Sequence, residues 1–229
     1  MTRTVLIALG VPLIAAGTCF ATPSTLVWIP STDIQGLKTW HFGVDDLINY
    51  GSPEKIKADA TVVGITYGVA EGFEVGLDVF SGIDDPLFLN AKWSSQPLGK
   101  NGEWQGSLGG YNFGFDSATS PDILYALVSY KAGKDRFHLG YFTGDDMVMI
   151  DPVTGGDESD GVLFGWDRSF GNKWWGSVDY QGGDSTYGAT SFGVAYTLSD
   201  SASILAGMNF YNNPAIDDTV TFQFDLNFD

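Results

Sequence analysis

Apolar and polar residues alternate along most of the chain, and the pattern is most regular at its end. From Val220 to Phe228 every even-numbered residue is apolar, and the residues between them are Thr, Gln, Asp and Asn. A period of two places successive side chains on opposite faces of a β-strand. The segments 61–69 and 73–79 alternate in the same way around a short turn, which predicts a β-hairpin.

Similar runs fill the chain from residue 37 onward, so about twelve strands are predicted and no amphipathic helix. Links after even-numbered strands are short, whereas links after odd-numbered strands are longer, with the longest at 144–160. Short links at one end and longer links at the other are typical of outer-membrane barrels, although the long link 94–103 is an exception to this pattern. The sequence therefore predicts an all-β fold, a transmembrane antiparallel up-and-down β-barrel in which the first and last strands pair.

The composition favours strands and turns over helices or disorder. The 229 residues include 30 glycines, 14% are aromatic and only 17% are charged, against roughly 25% charged in an average soluble domain. Hydrophobic residues make up 44%, which disfavours disorder. The formal net charge of −17 argues against nucleic acid as a partner, because phosphates would be repelled.

The first 21 residues have the order of a secretory signal peptide. Arg3 precedes the apolar stretch "VLIALGVPLIAAG", and Ala21 stands at the predicted cleavage site. The stretch is shorter than the ~20 residues that a membrane-spanning helix needs. Cleavage would remove Cys19, the single cysteine; a lipoprotein would acylate it, but Thr18 does not match the small residue expected before it. Residues 22–36 follow as a periplasmic lead-in or a plug, and residues 37–229 are assigned to the barrel.

Four features together indicate a resemblance to a known class of protein. They are the signal peptide, the alternating strands, the short and long links after alternate strands, and the aromatic final strand. The chain resembles bacterial outer-membrane β-barrels of the small porin type over nearly all of the mature sequence. This resemblance implies a Gram-negative outer-membrane location with both termini periplasmic, contact with outer-membrane lipids, and recognition of the last strand by the barrel-insertion machinery. It also implies girdles of aromatic residues at the two membrane interfaces. The expected members are Tyr67, Phe73, Trp93, Phe137 and Tyr196 at the periplasmic end, and Phe113, Tyr141, Tyr180 and Phe210 at the outer end.

If the apolar face of each strand contacts lipid, the other face lines a pore. The predicted pore-lining residues are Glu74, Asp78, Asn90, Lys92, Asn112, Arg136, His138, Asp167, Asp179, Gln181, Gln223 and Asp225. Eight apolar residues are also expected to point inward: Phe80, Phe88, Leu124, Val128, Phe142, Leu163, Trp175 and Leu205. A single β-bulge would invert part of this assignment, because it shifts the parity of a strand.

These residues predict a narrow diffusion channel for small solutes, with a preference for cations. Five of the inward residues are acidic and two are basic, and the loops at the outer end are rich in Asp and Glu, so the local concentration of cations should rise. No cofactor is predicted. The acidic stretch "GDESDG" is not predicted to bind calcium, because Gly156 stands where an EF-hand needs its first Asp ligand.

Two other functions stay open from the sequence. An outer-membrane lipid hydrolase would use His138, ahead of His41, as its base, but no G-x-S-x-G motif accompanies either histidine. The neighbouring Asp45 and Asp46 are interpreted as loop acids rather than as a catalytic pair. A secreted lipocalin-like binding barrel would alternate equally well with its apolar face inward. The large number of aromatic residues on that face disfavours this soluble alternative.

Overall fold

The computed structural model describes residues 24–229, which contain a closed antiparallel barrel of twelve strands. Strand β1 pairs with β12 from Trp40↔Phe228 to Asn49↔Thr219, so no sheet edge is left unpaired. The predicted strand number, antiparallel order and closure are confirmed, while the predicted signal peptide lies outside the described residues. The strands are β1 Trp40–Asn49, β2 Ala60–Ala70, β3 Phe73–Phe80, β4 Leu87–Ser94, β5 Trp104–Phe113, β6 Ile123–Ala132, β7 Asp135–Thr143, β8 Asp160–Phe170, β9 Trp174–Gln181, β10 Ala189–Thr197, β11 Ala202–Tyr211 and β12 Thr219–Phe228.

The connections differ in length at the two ends of the barrel. Four of the five links after even-numbered strands have two to four residues, whereas the links after odd-numbered strands have six to sixteen. The exception, residues 95–103, is a real excursion, in which Leu98 and Trp104 form an isolated antiparallel bridge. In residues 24–229 no helix is long and apolar enough to cross a membrane.

The outer face of the barrel is apolar around its whole circumference. On β12 the even-numbered side chains point outward, with Phe222 53% exposed, whereas Thr219, Thr221 and Asp225 are fully buried inside. Exposed Val, Ile, Leu and Phe side chains also cover the other strands. A water-soluble barrel would bury this face, so the arrangement matches a barrel whose outer face meets lipid.

Aromatic side chains concentrate on the outer face at the end that carries the tight turns. Three pairs of tilted rings in contact lie there, Trp40–Tyr67, Trp104–Tyr130 and Trp174–Tyr196, with ring centroids 4.3, 4.6 and 4.7 Å apart. Tyr141 and Phe210 are exposed at the opposite end, where Phe210 packs edge-on against Phe192. Aromatic residues at both ends of an apolar band are the arrangement found at membrane interfaces.

Two of the eight predicted inward apolar residues are placed wrongly. Leu124 and Val128 of β6 point outward, and Ile123, Tyr125 and Leu127 point inward. Strand β6 reads "ILYALVSYKA" and is apolar on both faces, so alternation alone does not fix its parity. The other six face the interior: Phe88, Phe142, Leu163, Trp175 and Leu205 are buried, and Phe80 packs edge-on against Phe88.

A β-bulge in β5 changes which of its side chains face inward. Leu89 of β4 pairs with Phe113 and Ala91 pairs with Gly110, so β5 has one extra residue in this interval. Asn112, with a φ of 57°, lies at the bulge. As a result Tyr111 and Asn112 both contact the interior, although they are neighbours in sequence.

Candidate functional site

Residues 24–36, called the inner segment below, lie inside the barrel. Leu26 N–H donates to the Ile29 carbonyl at 2.8 Å, which forms a tight turn, and both side chains are fully buried. They belong to an apolar cluster with inward residues of β6 to β11, among them Ile123, Leu163 and Leu205. The inner segment therefore packs against one half of the barrel wall.

The wall is shaped to accept this segment closely. The inward face of Gly193 on β10 is covered by Val27, whose Cγ2 lies 2.6 Å from the position that a Cβ at residue 193 would take. Any side chain here would displace either Val27 or the strand. No sequence pattern indicates this contact, because Gly193 looks like any other glycine within a strand.

Polar groups of the wall satisfy the backbone of the turn. Asp179 accepts hydrogen bonds from the Val27 and Trp28 N–H groups, at 2.7 and 3.2 Å, through the same Oδ2 atom. From the opposite side, Gln223 Nε2 donates to the Val27 carbonyl at 3.0 Å. A buried backbone group without a partner costs about 1–3 kcal/mol, so these bonds are needed for the turn to lie inside the barrel.

Glu74 on β3 holds both ends of the inner segment. One carboxylate oxygen accepts from Ser24 Oγ and the other from Gln35 N–H, each at 2.5 Å. Lys92 of β4 lies 3.3 Å from Glu74 Oε1, and its Nζ also donates to the Ser24 carbonyl at 3.1 Å. Glu74 and Lys92 are each 4% exposed. This buried ion pair neutralises its own charge and fixes the segment to the wall.

A second charged cluster lies on β7 and β8. Asp167 accepts hydrogen bonds from Arg136 Nε at 2.9 Å and Trp175 Nε1 at 3.0 Å, and its Oδ1 is 2.8 Å from His138 Nε2. Arg136 also contacts Asp33 of the inner segment, with 2.5 Å between Nη1 and Oδ1. His138 is 1% exposed, so no water-borne substrate reaches its ring in this arrangement. The geometry is that of a structural ion cluster rather than of a catalytic base.

A cavity of about 170 Å³, lined by both polar and apolar groups, remains between the inner segment and the other half of the wall. Among the predicted residues, Glu74, Asp78, Asn90, Lys92 and Asn112 line it. Asp78 is not neutralised by a base, and its Oδ2 accepts a hydrogen bond from Asn90 Nδ2 at 2.6 Å. Asp78 therefore faces the cavity without a basic partner.

All twelve predicted pore-lining side chains are placed inside the barrel, but they have different surroundings. Five line the cavity, as described above. Arg136, His138 and Asp167 form the ion cluster, and Asp179 and Gln223 bind the inner segment. Of the remaining two, Gln181 accepts from Tyr111 Oη at 3.1 Å, and Asp225 accepts from Ser203 Oγ at 3.1 Å. Only five of the twelve thus border the cavity, and the other seven contact protein groups.

The most important residue that the sequence reasoning misplaced is Asp45. It belongs to β1 and lines the cavity, whereas we interpreted it as a loop acid. The alternation of Trp40, Phe42 and Val44 on the outer face carried the necessary signal, because one more step places Asp45 inward. His41 also lines the cavity, and its Nε2 lies 3.5 Å from Asp225 Oδ1.

The loops 50–59 and 212–218 pack against each other over the junction of β1 and β12. Ile56 and Ile216 form an isolated bridge, and Lys57 Nζ lies 2.7 Å from Asp217 Oδ2. The hydrogen bond from Lys57 lowers the pKa of Asp217, so the carboxylate stays charged in moderate acid. This contact fixes the two loops over the junction that closes the barrel, at the end opposite the tight turns.

The closed barrel, its apolar outer belt and its polar interior define the fold as that of a small porin-type outer-membrane β-barrel. The chain is similar to the solved structure of KdgM porin, with a TM-score of 0.55, 10% identity, and coverage of 83% of this chain and 98% of that one. It is similar to "KdgM porin in complex with disordered oligogalacturonate" at the same TM-score and coverage, with 9% identity. No protein-family model and no curated protein matches the sequence.

Proposed function

We propose that this chain is a narrow diffusion channel for small solutes in a bacterial outer membrane. The observation that carries the proposal is the cavity beside the inner segment, which carboxylates line, enclosed by a barrel with an apolar outer belt. Side chains and the inner segment fill most of the interior, so the path is narrower than in wide porins. We further propose that solutes pass on the side of β1 to β5, where Asp45 and Asp78 favour cations.

The solute is expected to differ from the one named for the structural neighbour. Oligogalacturonate is a chain of carboxylate-bearing sugars and is therefore an anion. Asp45 and Asp78 in the cavity would repel it, and Lys92 is already paired with Glu74. We therefore propose small neutral or cationic solutes for this chain.

The orientation in the membrane follows from the connections. The first residue of β1 pairs with the last residue of β12, so both strands reach the end that carries the tight turns. Outer-membrane barrels have short periplasmic turns, and we propose that both ends of the barrel sequence are periplasmic. Outer-membrane lipids and the insertion machinery, through β12, are the partners that this location requires.

Conductance of the refolded protein in planar bilayers tests the channel directly. Thr32 Oγ1 of the inner segment lies 2.7 Å from Ser129 Oγ of β6, so Thr32→Cys with Ser129→Cys should form a disulfide that fixes the segment. Cys19 falls in the predicted signal peptide, so the mature chain adds no competing thiol.

The oxidised variant should keep a small steady conductance through the side cavity, and only reduction should allow larger openings. Thr32→Cys alone serves as the control and should behave like the parent under both conditions. A parent that never conducts would contradict the channel. Equal large openings in the oxidised and reduced variant would instead contradict the role of the inner segment.

A further inference from the structure

A row of residues across four neighbouring strands places two carboxylates on either side of a bare stretch of wall. Asp225 of β12 pairs with Gly43 of β1, Gly43 pairs with Gly64 of β2, and Gly64 pairs with Asp78 of β3. Directly opposed residues on adjacent strands have Cβ positions about 5 Å apart. Neither glycine has a side chain, so Asp78 extends over Gly64, and His41 Nε2 lies 3.3 Å from the position that a Cβ on Gly43 would take.

The side chains of Asp78 and Asp225 extend toward these glycines. Asp78 Oδ1 contacts the position that a Cβ on Gly64 would occupy, and Asp225 Oδ1 lies 3.9 Å from the corresponding position on Gly43. Both glycines border the cavity. Asp45 lies two residues beyond Gly43 on the same face of β1 and adds a third carboxylate.

Two of the three carboxylates have an oxygen that no protein group satisfies. Asp225 is fully buried, yet its Oδ1 accepts no hydrogen bond within the described part of the chain; His41 Nε2, at 3.5 Å, does not form one. Asp45 Oδ1 is also buried without a hydrogen-bond partner there. Leaving buried acceptors unpaired is costly, so a bound group that donates hydrogen bonds would be stabilised here.

The remaining walls of the cavity indicate the chemical class of this group. Trp28 of the inner segment and Tyr111 of β5 line it together with the acids, and aromatic faces attract cations. Two basic side chains belong to the lining: Lys92 lies 3.3 Å from Glu74 and is neutralised by it, and His41 Nε2 lies 3.5 Å from Asp225 Oδ1. Within residues 24–229 no three His, Cys, Asp or Glu side chains are close enough to hold a metal ion, so a bare metal ion does not fit.

We propose that Asp45 and Asp78, beside the floor formed by Gly43 and Gly64, bind the ammonium or guanidinium group of a small organic cation. The site deepens the proposed function and rests on it, because it lies in the same cavity. An ammonium donates three hydrogen bonds and a guanidinium five, which supplies the donors that the carboxylates lack. A cation bound here would also lie against the aromatic side chains of the lining.

Titration calorimetry on the refolded protein in micelles tests the site with three probes that share a four-carbon chain. Putrescine carries two ammonium groups, 1,4-butanediol is neutral and succinate is an anion. Putrescine should bind, and the other two should not. Equal heats for putrescine and butanediol, or binding of succinate, would overturn the proposal.

Single substitutions identify the residues that bind putrescine. Asp45→Asn and Asp78→Asn should each weaken putrescine binding about tenfold, which corresponds to about 1.4 kcal/mol. Gly64→Ala should weaken it similarly without changing the charge, because its methyl group would occupy the space beside Asp78. Asp200→Asn, in the exposed link after β10, removes the same charge elsewhere and should leave binding unchanged. Unchanged affinity in the first three variants would contradict the site.

The test separates this inference from the channel itself. Binding of putrescine by a protein that does not conduct would support the site and contradict the proposed function. Conductance without putrescine binding would support the channel and contradict the site.

Discussion

At the scale of single residues, the same type of side chain has different roles at neighbouring positions. Glu74 and Asp78 lie four residues apart on β3, and both point inward. Glu74 contacts Lys92 and the inner segment, whereas Asp78 borders open space and contacts Asn90. Strand parity correctly placed both side chains inside the barrel. It gave no information on their partners, because these come from elements distant in sequence.

Glu74→Gln should therefore destabilise the protein more than Asp78→Asn. Removing one partner of a buried ion pair leaves the other charge uncompensated, which costs about 3–5 kcal/mol. Asp78 has no basic partner, so we expect a loss of at most about 1 kcal/mol for Asp78→Asn. Denaturant unfolding in micelles measures both.

A double variant separates the ion pair from general effects of substitution. Adding Lys92→Met to Glu74→Gln removes the uncompensated charge and should recover a substantial part of the lost stability. Equal stability of the Glu74→Gln and Asp78→Asn proteins would show that the Glu74–Lys92 pair does not hold the inner segment.

At the scale of elements, the sequence predicted the strands well and the inner segment poorly. Alternation is a local property, and each of the twelve strands carries enough of it to be recognised. Residues 26–29 are apolar in a row, and their position depends on contacts with Gly193, Asp179 and Gln223, which lie more than 150 residues away. No local pattern reports such contacts. Sequence reasoning therefore left open whether this segment lies inside the barrel.

The two errors in β6 have the same physical origin. This strand contacts the apolar cluster of the inner segment on its inner face and the apolar belt on its outer face. Alternation between polar and apolar residues disappears wherever both faces are apolar. The inverted parity of Leu124 and Val128 thus follows from the presence of the inner segment inside the barrel.

At the scale of the whole molecule, the apolar outer face of the barrel requires an apolar environment such as lipid. Leu77 is on the outward face of β3, between the outward-facing Ile65 and Leu89 of the adjacent strands. Leu77→Arg should cost roughly 2–4 kcal/mol if this position lies at the bilayer midplane. Val153→Arg, in the exposed loop 144–159, is the matched control and should cost little.

Folding equilibria in lipid vesicles measure this difference. Equal stability of the two arginine variants would contradict the lipid-facing assignment of β3. A parent protein that folds as a water-soluble monomer without detergent would contradict the membrane location altogether.

The most direct test of a cation-preferring channel is the reversal potential of the parent protein in a planar bilayer under a KCl gradient. We expect a potential with the sign of potassium preference, and a clear decrease for the Asp45→Asn, Asp78→Asn double variant. Asp184→Asn removes an exposed acid of the loop 182–188, and its effect should be confined to low salt, since screening acts over about 8 Å at physiological ionic strength. A chloride-preferring parent, or a double variant with unchanged selectivity, would show that Asp45 and Asp78 do not make this barrel a cation-preferring channel.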